Sequence, residues 1–277
     1  MMEIVEYEGV TQIRMSREMG GKALYWTAAY LIDGLLIDTG CSHTTEELLV
    51  YLGKYPPAMV VNTHYHEDHI GANRRIQERF GVSIYAHRDA APLIGQPAKL
   101  FPYQELVWGY PEPSRVLPVP PVLRTDRYSF DVVEVPGHCR DHIALVEKSR
   151  GWCFSGDAVL GPNVKALRPE EDLAEILASL RKLAALDTER LVFFTSLGRI
   201  YPNGREVLEA FFSYIADLCA KMDTTSGAGR SLQDMVVHVF GGEDPMAAMT
   251  NGQFSRENLV REIMKLGTRF DITDRSV

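Results

Sequence analysis

The sequence predicts an α/β fold on the basis of three observations. Short runs in which apolar and polar residues alternate occur between residues 4 and 37 and again between 123 and 154. Segments with the helical spacing of apolar residues follow each of these two series. Three of the runs end just before polar side chains that can bind metal. Two successive sets of strands, each closed by helices, indicate an α/β architecture.

The composition is that of an ordinary soluble globular protein. The chain has 277 residues, 45% of them hydrophobic, and a formal net charge of -8. This length fits two domains, or one large domain with a tail. No run of Lys and Arg is present to neutralise a nucleic acid, so we expect a small-molecule substrate instead. The N-terminus lacks a secretory profile and no apolar run reaches transmembrane length, which predicts a cytoplasmic protein without membrane contact.

Four cysteines are scattered without a paired spacing, so no disulfide framework is predicted. They are Cys41, Cys139, Cys153 and Cys219. Cys139 directly follows a candidate metal ligand, which leaves a role as donor or nucleophile open. A small buried cysteine is more often apolar filler, and we favour that interpretation.

The first series of strands comprises Ile4–Tyr7, Val10–Met15 and Leu24–Ile37, the last with a hairpin turn at Asp33-Gly34;. Its final part is a buried strand that ends in an acid, Asp38, and a glycine turn. A short helix is predicted over 44–52.

A dense cluster of metal-binding side chains follows the apolar run 59–61, which fits a buried strand. Alternation along an extended segment points His64 and His66 the same way, and a turn lets Asp68 and His69 approach from another side. Imidazole with carboxylate is the usual donor set for zinc, iron or manganese. One short segment can therefore serve two neighbouring cations, while Glu67 is expected to face solvent.

A helix is predicted over 70–80 and a strand over 82–86. The next segment, 95–121, contains seven prolines and several aromatic residues, including Trp108. It is predicted to be an extended loop that cannot join a sheet. Such a loop can cover a substrate or simply connect two parts of the surface, and both interpretations stay open.

The second series of strands comprises 123–135, 143–147 and 152–154. His138 follows the first of these strands, and Asp157 follows the last. Helical spacing begins at Pro169, which suits a first helical turn. We therefore predict a catalytic domain over 1–222, a linker over 223–230 and a helical C-terminal extension over 231–277, which caps the domain or joins a homodimer.

These motifs resemble the metallo-β-lactamase superfamily. The resemblance covers residues 10 to about 215 and rests on His-x-His-x-Asp-His after a strand, then Pro-Gly-His, then Ser-Gly-Asp. The form of residues 63–73 is most similar to glyoxalase II-like hydrolases. The resemblance implies a four-layer αββα sandwich, here with a small helical C-terminal extension.

The resemblance also implies roles for single residues. Asp38 corresponds to an acid that supports the metal site without binding the ion. The remaining assignments are His64, His66 and His138 as ligands of a first metal, Asp68 and His69 as ligands of a second, and Asp157 as the carboxylate that bridges both.

One departure from the family pattern affects the second site. The family has a histidine in a Gly-His-Gly turn after the next strand, and Leu197 stands at that place, followed by Gly198. Leucine cannot donate to a metal. Water, Ser196 or a nearby side chain can substitute, and His142 is a further candidate, although a structural role for it is the commoner outcome. We expect one tight zinc site and a second that is weak or absent, with iron or manganese as alternatives.

The resemblance implies hydrolysis. A bound cation lowers the pKa of water toward about 7 and so supplies metal-bound hydroxide, which attacks an activated acyl group such as a thioester or lactone. Asp68 is placed to orient the water or receive its proton. Trp108, Arg199 and Tyr201 are candidates for contact with the substrate.

Two other functions stay open. A lone iron with histidine and carboxylate ligands suits an oxygenase of the persulfide dioxygenase kind, which shares the fold and the motif. A protein that binds metal or ligand without turnover is the second alternative, and only the departure at Leu197 favours it.

Overall fold

The computed structural model describes residues 1–223 and 231–266 and contains two large sheets. The first is built from the N-terminal half of the chain, which also forms helices α1–α4 and a 3₁₀ turn at Ser42–Thr44. The elements of this half are β1 Met2–Tyr7, β2 Val10–Met15, β3 Glu18–Met19, β4 Lys22–Ala23, β5 Thr27–Ile32, β6 Leu35–Ile37, α1 Thr45–Leu52, β7 Met59–Val61, α2 Asn73–Phe80, β8 Ser83–Ala86, α3 Ala91–Ile94, α4 Pro102–Val107 and β9 Leu117–Pro118.

The second sheet and the longer helices come from the C-terminal half. Its elements are β10 Val122–Arg124, β11 Ser129–Glu134, β12 Ile143–Glu147, β13 Trp152–Gly156, α5 Leu173–Ala184, β14 Val192–Thr195, β15 Ile200–Tyr201, α6 Gly204–Asp223, α7 Leu232–Phe240, α8 Pro245–Met249 and α9 Arg256–Leu266.

Each sheet is mixed. The first has the order β1-β2-β5-β6-β7-β8-β9 and is parallel from β6 onward. The second has the order β10-β11-β12-β13-β14-β15, with one parallel pair, β13 and β14. Strands β3 and β4 form a separate hairpin.

Three clusters of buried apolar side chains separate four layers, which confirms the predicted αββα sandwich. Adjacent strand residues point to opposite faces of a sheet. Thus Val60 packs toward helices α1 and α2, whereas Val61 packs between the two sheets. In the second sheet, Phe194 fills the space between the sheets and Phe193 faces α5 and α6 on the outside.

Two predictions about the N-terminal half were wrong in detail. The helix after the histidine cluster begins at Asn73 instead of Ile70, because residues 67–72 form turns that close on the loop after β6. The proline-rich segment does join the sheet: β9 pairs in parallel with β8 through Tyr85–Leu117 and Ala86–Pro118. A proline is compatible with this position because β9 is the edge strand, where one N–H is not needed for the ladder.

The C-terminal helices pack on the same core as α5 and α6. Met235 and Val236 of α7, with Leu259 and Ile263 of α9, belong to the apolar cluster that also contains Leu180. The predicted division into domain and extension stays a prediction, and the predicted linker, 223–230, lies outside the described residues apart from the last residue of α6.

Candidate metal centre

The centre lies where strands of both sheets end. Strand β7 stops at Val61, and the chain then turns so that the backbone carbonyl of His69 accepts hydrogen bonds from Thr39 N (2.8 Å) and Asn62 Nδ2 (3.2 Å). A backbone hydrogen bond of 2.9 Å from Ile143 N to Thr63 O joins the second sheet at the same point. These bonds fix the cluster at the junction of the two sheets.

Three imidazole nitrogens converge on one point. His64 Nε2 lies 3.0 Å from His66 Nδ1, and His138 Nε2 lies 2.9 Å from the same nitrogen. Asp157 completes the group, with Oδ2 3.3 Å from His138 Nε2. All three rings are buried.

A second group of donors adjoins the first. His69 Nε2 lies 3.7 Å from Asp68 Oδ2 and 3.3 Å from Asp157 Oδ1. The two oxygens of Asp157 therefore face different groups, Oδ2 toward His138 and Oδ1 toward His69. The structure thus brings together all six candidate ligands, and their division between a first and a second metal stays a prediction.

Acidic partners hold two of the histidine rings from outside. Asp38, whose backbone is left-handed (φ 61°), accepts hydrogen bonds from Thr63 N (2.7 Å) and lies 2.7 Å from His69 Nδ1. Glu171 Oε1 lies 2.5 Å from His138 Nδ1. A carboxylate at Nδ1 leaves the Nε2 lone pair of each ring directed into the centre. Sequence reasoning missed Glu171, because nothing local marks a residue 33 positions from its histidine.

The electrostatics of the centre suit a cation. Burial and the neighbouring imidazoles hold the pKa values of His64 and His66 well below the usual range, so both rings are neutral donors;. Burial alone would lower the pKa of His69, but Asp38, Asp68 and Asp157 raise it well above its usual range.

Buried donors without partners support the same conclusion. His69 Nε2 and Asp157 Oδ1 are 3.3 Å apart, yet neither makes a hydrogen bond of good geometry with any described residue. Such atoms are costly to bury alone. A divalent cation would satisfy them together with the converging imidazole lone pairs, and imidazole with carboxylate suits zinc, iron or manganese.

The turn after β14 supplies no histidine to the second group. Leu197 is half-buried in this turn, which Gly198 closes with a left-handed φ of 69°. The adjacent Ser196 is buried beside Asp157, whose pKa its hydroxyl helps to lower, although His138 is the main cause of that shift. Ser196 is therefore a polar side chain that lies next to the bridging carboxylate and one residue before Leu197.

The Nε2 atom of His142 is not available to bind a metal. That nitrogen accepts a hydrogen bond of 3.0 Å from the backbone N–H of Asp157, and the ring stacks on His64 with centroids 4.6 Å apart. His142 therefore supports the backbone of the bridging carboxylate. Cys139 Sγ lies within 4.8 Å of nitrogens of His64 and His66, but burial raises the pKa of this thiol well above its usual range.

The prediction that Glu67 faces solvent was wrong. Only 3% of the residue is exposed, because the chain turns after His66 and directs the side chain inward. Burial, together with the neighbouring charge of Asp68, raises the pKa of Glu67 to about 7, and Arg168 acts in the opposite direction. Sequence reasoning did not identify Arg168 either.

Aromatic side chains line one side of the centre. Trp108, which is buried, makes edge contacts with Tyr25 at 5.6 Å and with Tyr103 at 6.3 Å between ring centroids. Burial, with Asp157 and Asp68, raises the pKa of Tyr25 to about 12, and Arg168 and Arg199 oppose that shift. Tyr25 therefore lies near both the ligand cluster and these arginines.

Arg199 and Tyr201 lie together in the turn after β14 and in β15. Arg199 Nη1 is 3.5 Å from the Tyr201 hydroxyl, which donates to Leu160 O at the same distance. Arg199 is exposed, and its charge reaches Tyr25 at the edge of the centre. Contact of these two residues with substrate stays a prediction.

The sequence model of the metallo-beta-lactamase superfamily matches residues 27–195. This chain belongs to the metallo-beta-lactamase superfamily. The matched range contains all six candidate ligands and ends just before Ser196, and it confirms the resemblance to this family.

Curated relatives are similar to this chain at low identity. Hydroxyacylglutathione hydrolase GloC of Haemophilus influenzae is 25% identical over 150 residues, which cover 50% of this chain and 69% of the relative. The hydroxyacylglutathione hydrolase of Xanthomonas euvesicatoria is 30% identical over 61% of this chain and 58% of its own length. Several more such hydrolases are matched over about half of their length. Acyl-coenzyme A thioesterase MBLAC2 of Gallus gallus is 26% identical over 80% of this chain and 88% of the relative.

Solved structures share the fold. A metallo-beta-lactamase family protein of Thermus thermophilus superposes with a TM-score of 0.65 at 20% identity, over 95% of this chain and 94% of its own. A beta-lactamase domain protein of Burkholderia ambifaria gives 0.69 at 17% identity, over 96% and 85%. Both matches extend well beyond residue 222, so the C-terminal extension also has counterparts in known folds.

Proposed function

We propose that this protein is a metal-dependent hydrolase of thioesters. The observation that carries the proposal is the convergence of His64, His66 and His138 on one point beside Asp157. Asp68 and His69 lie next to this group. His64 and His66 are neutral donors, and a set of imidazoles with a buried carboxylate is suited to hold a catalytic cation;.

The cation and the side chains of the protein would have different roles in the reaction. A divalent cation held by these residues would acidify water and polarise an acyl carbonyl. In this proposal, the chain's own carboxylate Asp68 orients the attacking water and accepts its proton. Asp38 and Glu171 keep the rings of His69 and His138 in the orientation that directs their Nε2 atoms inward.

Similarity to known hydrolases favours thioesters over lactones. Hydroxyacylglutathione hydrolases and an acyl-coenzyme A thioesterase are among the relatives, and both names describe hydrolysis of an acyl thioester. Zinc is the metal that we expect, with one tight site, because Leu197 offers no donor to the second.

Elemental analysis of the purified chain, followed by assays with thioester, lactone, β-lactam and phosphodiester substrates, tests the proposal. We expect about one zinc per chain and hydrolysis of thioesters. His66→Ala and Asp157→Ala should each remove the bound metal and lower kcat at least about 100-fold. His238→Ala, an exposed histidine of α7, is the matched control and should leave both unchanged.

Other results would point elsewhere. Stoichiometric iron with thiol-dependent oxygen uptake would support the dioxygenase alternative. Stoichiometric metal retained in both His66→Ala and Asp157→Ala would show that the ligand assignment is wrong.

A further inference from the structure

We propose that Arg168 binds an anionic group of the substrate, so that the enzyme prefers thioesters that carry a carboxylate or phosphate. This inference rests on the proposed thioester hydrolysis and adds a residue that determines specificity. Neither the family motifs nor the similar proteins point to Arg168. The inference rests on its position beside Glu171 and on its guanidinium, which has no partner among the described residues.

Arg168 lies close to the ligand cluster. Its backbone N–H donates a hydrogen bond of 2.7 Å to Glu171 Oε2, and Oε1 of the same carboxylate lies 2.5 Å from His138 Nδ1. The positive charge of its side chain acts on Glu67, Tyr103 and Asp68. The shared contact with Glu171 therefore places Arg168 beside His138 at the edge of the centre.

The guanidinium of Arg168 is free to bind. Within residues 1–223 and 231–266 it makes no hydrogen bond and no ion pair within 4.0 Å, although the residue is half-buried. Arg190, in contrast, pairs with Glu8, and Arg205 donates to three backbone carbonyls. Five donors without partners beside a catalytic centre match the geometry of a carboxylate or phosphate.

The segment that carries Arg168 is held in place. Leu167 pairs with Ser255 through two backbone hydrogen bonds of 3.1 Å, and Leu167 O also accepts one from Asn258 Nδ2 (3.0 Å). On the other side, Leu173 N donates to Glu262 Oε2 of α9 (3.4 Å). A fixed backbone lowers the entropy lost when the arginine binds an anion.

The surroundings explain why an arginine is useful here. Five carboxylates lie around the centre, namely Asp38, Glu67, Asp68, Asp157 and Glu171, and the whole chain carries a formal charge of -8. An anionic substrate approaching this centre would be repelled without a compensating charge. Arg168 would supply that charge at the edge of the centre, and the neighbouring aromatic rings would offer a surface for the apolar part of the substrate.

Binding of non-hydrolysable thioethers, measured by calorimetry on the full chain, tests the inference. The probes are the neutral hexyl thioether of N-acetylcysteamine, its counterpart with a terminal carboxylate on the hexyl group, hexyl glutathione and hexyl coenzyme A. Arg168→Met should raise the Kd of at least one acidic probe about tenfold and leave the neutral probe within about twofold. Arg168→Lys should restore part of the affinity.

Arg124→Met, an exposed arginine of β10, is the matched control and should alter no affinity. The acidic probe whose affinity falls shows where the anionic group lies on the substrate: on the acyl chain, on the thiol or in a phosphate. Equal weakening of neutral and acidic probes, or no change in any, would overturn the inference. If hydrolysis of all the matching thioesters fails while the preference for acidic probes still depends on Arg168, the proposed function falls and the anion site stands.

Discussion

The histidine rings of the centre depend on residues that do not touch the metal position. His69 is held by Asp38, 31 positions earlier in the chain, and His138 by Glu171, 33 positions later. The family resemblance predicted the first of these partners, because Asp38 ends a recognisable strand. It could not predict the second, because Glu171 lies in an irregular segment whose position depends on α9.

The same limit applies to Glu67 and Arg168. Alternation along an extended chain points Glu67 to the side opposite His66, and for this reason we expected it to face solvent. The chain turns at this point, however, and the Glu67 side chain is buried beside that of Gln104. Patterns of local sequence describe regular segments well and turns poorly.

Leu197→His should strengthen the second metal site. An imidazole in the turn after β14 would add a donor to Asp68, His69 and Asp157, so zinc content after dialysis should rise from about one to about two per chain. Leu197→Phe, which has a ring of similar shape but no donor, should bind no more metal than the wild type. Equal zinc content in both variants would mean that another group already completes the site or that position 197 does not face it.

Among the elements, the ends of β7 and β13 determine where the centre lies. Both strands were predicted from their apolar runs, and the ligands follow them directly, so the approximate location of the centre followed from the sequence. The pairing of β9 with β8 did not, because seven prolines between residues 95 and 121 obscure a two-residue edge strand. The start of α2 was misplaced for a related reason: the contacts that end the turn before it come from a distant loop.

Gly71→Ala should destabilise the turn between β7 and α2. A Cβ at this position would lie within 3.0 Å of backbone atoms of Gly40, Cys41 and Ser42, so one of the two loops must move. Overpacking of this kind costs about 1–3 kcal/mol or more. We expect a clear loss in Tm and lower metal content, because the ligand cluster lies in the same turn.

Gly81→Ala is the matched control for this steric effect. Gly81 has a left-handed φ of 65° but no atom within 4 Å of an added Cβ. This variant should lose only about 1 kcal/mol and keep its metal. Similar losses of Tm in the two variants would show that the close approach of the two loops at residue 71 costs no more than the left-handed backbone at residue 81.

At the scale of the whole molecule, the C-terminal helices α7 and α9 share one apolar cluster with α5, α6 and the outer face of the second sheet. None of the helices within the described ranges combines the length and apolar character needed to cross a lipid bilayer. The sandwich itself followed from the motifs, whereas the integration of the C-terminal helices did not. Their amphipathic spacing predicts that one face is covered, but it does not identify the covering surface.

The C-terminal helices contribute substantially to stability. Six of their apolar side chains are buried in the cluster that α5 and α6 share, namely Met235, Val236, Leu259, Val260, Ile263 and Leu266. Burial of each contributes about 1.5–3 kcal/mol. The sum is comparable with the entire net stability of a typical domain, about 5–15 kcal/mol. We therefore expect the domain and its extension to unfold together.

Ile263→Ala tests this expectation by calorimetry. Truncating a buried isoleucine costs about 2–5 kcal/mol, and if the core is shared, a single unfolding transition should move to lower temperature. Met264→Ala, an adjacent residue that is 52% exposed, should change Tm little. A separate transition for the C-terminal helices, with the main transition unmoved, would show that residues 231–277 form an independent unit. It would also remove the support that α9 gives to the segment containing Arg168 and Glu171.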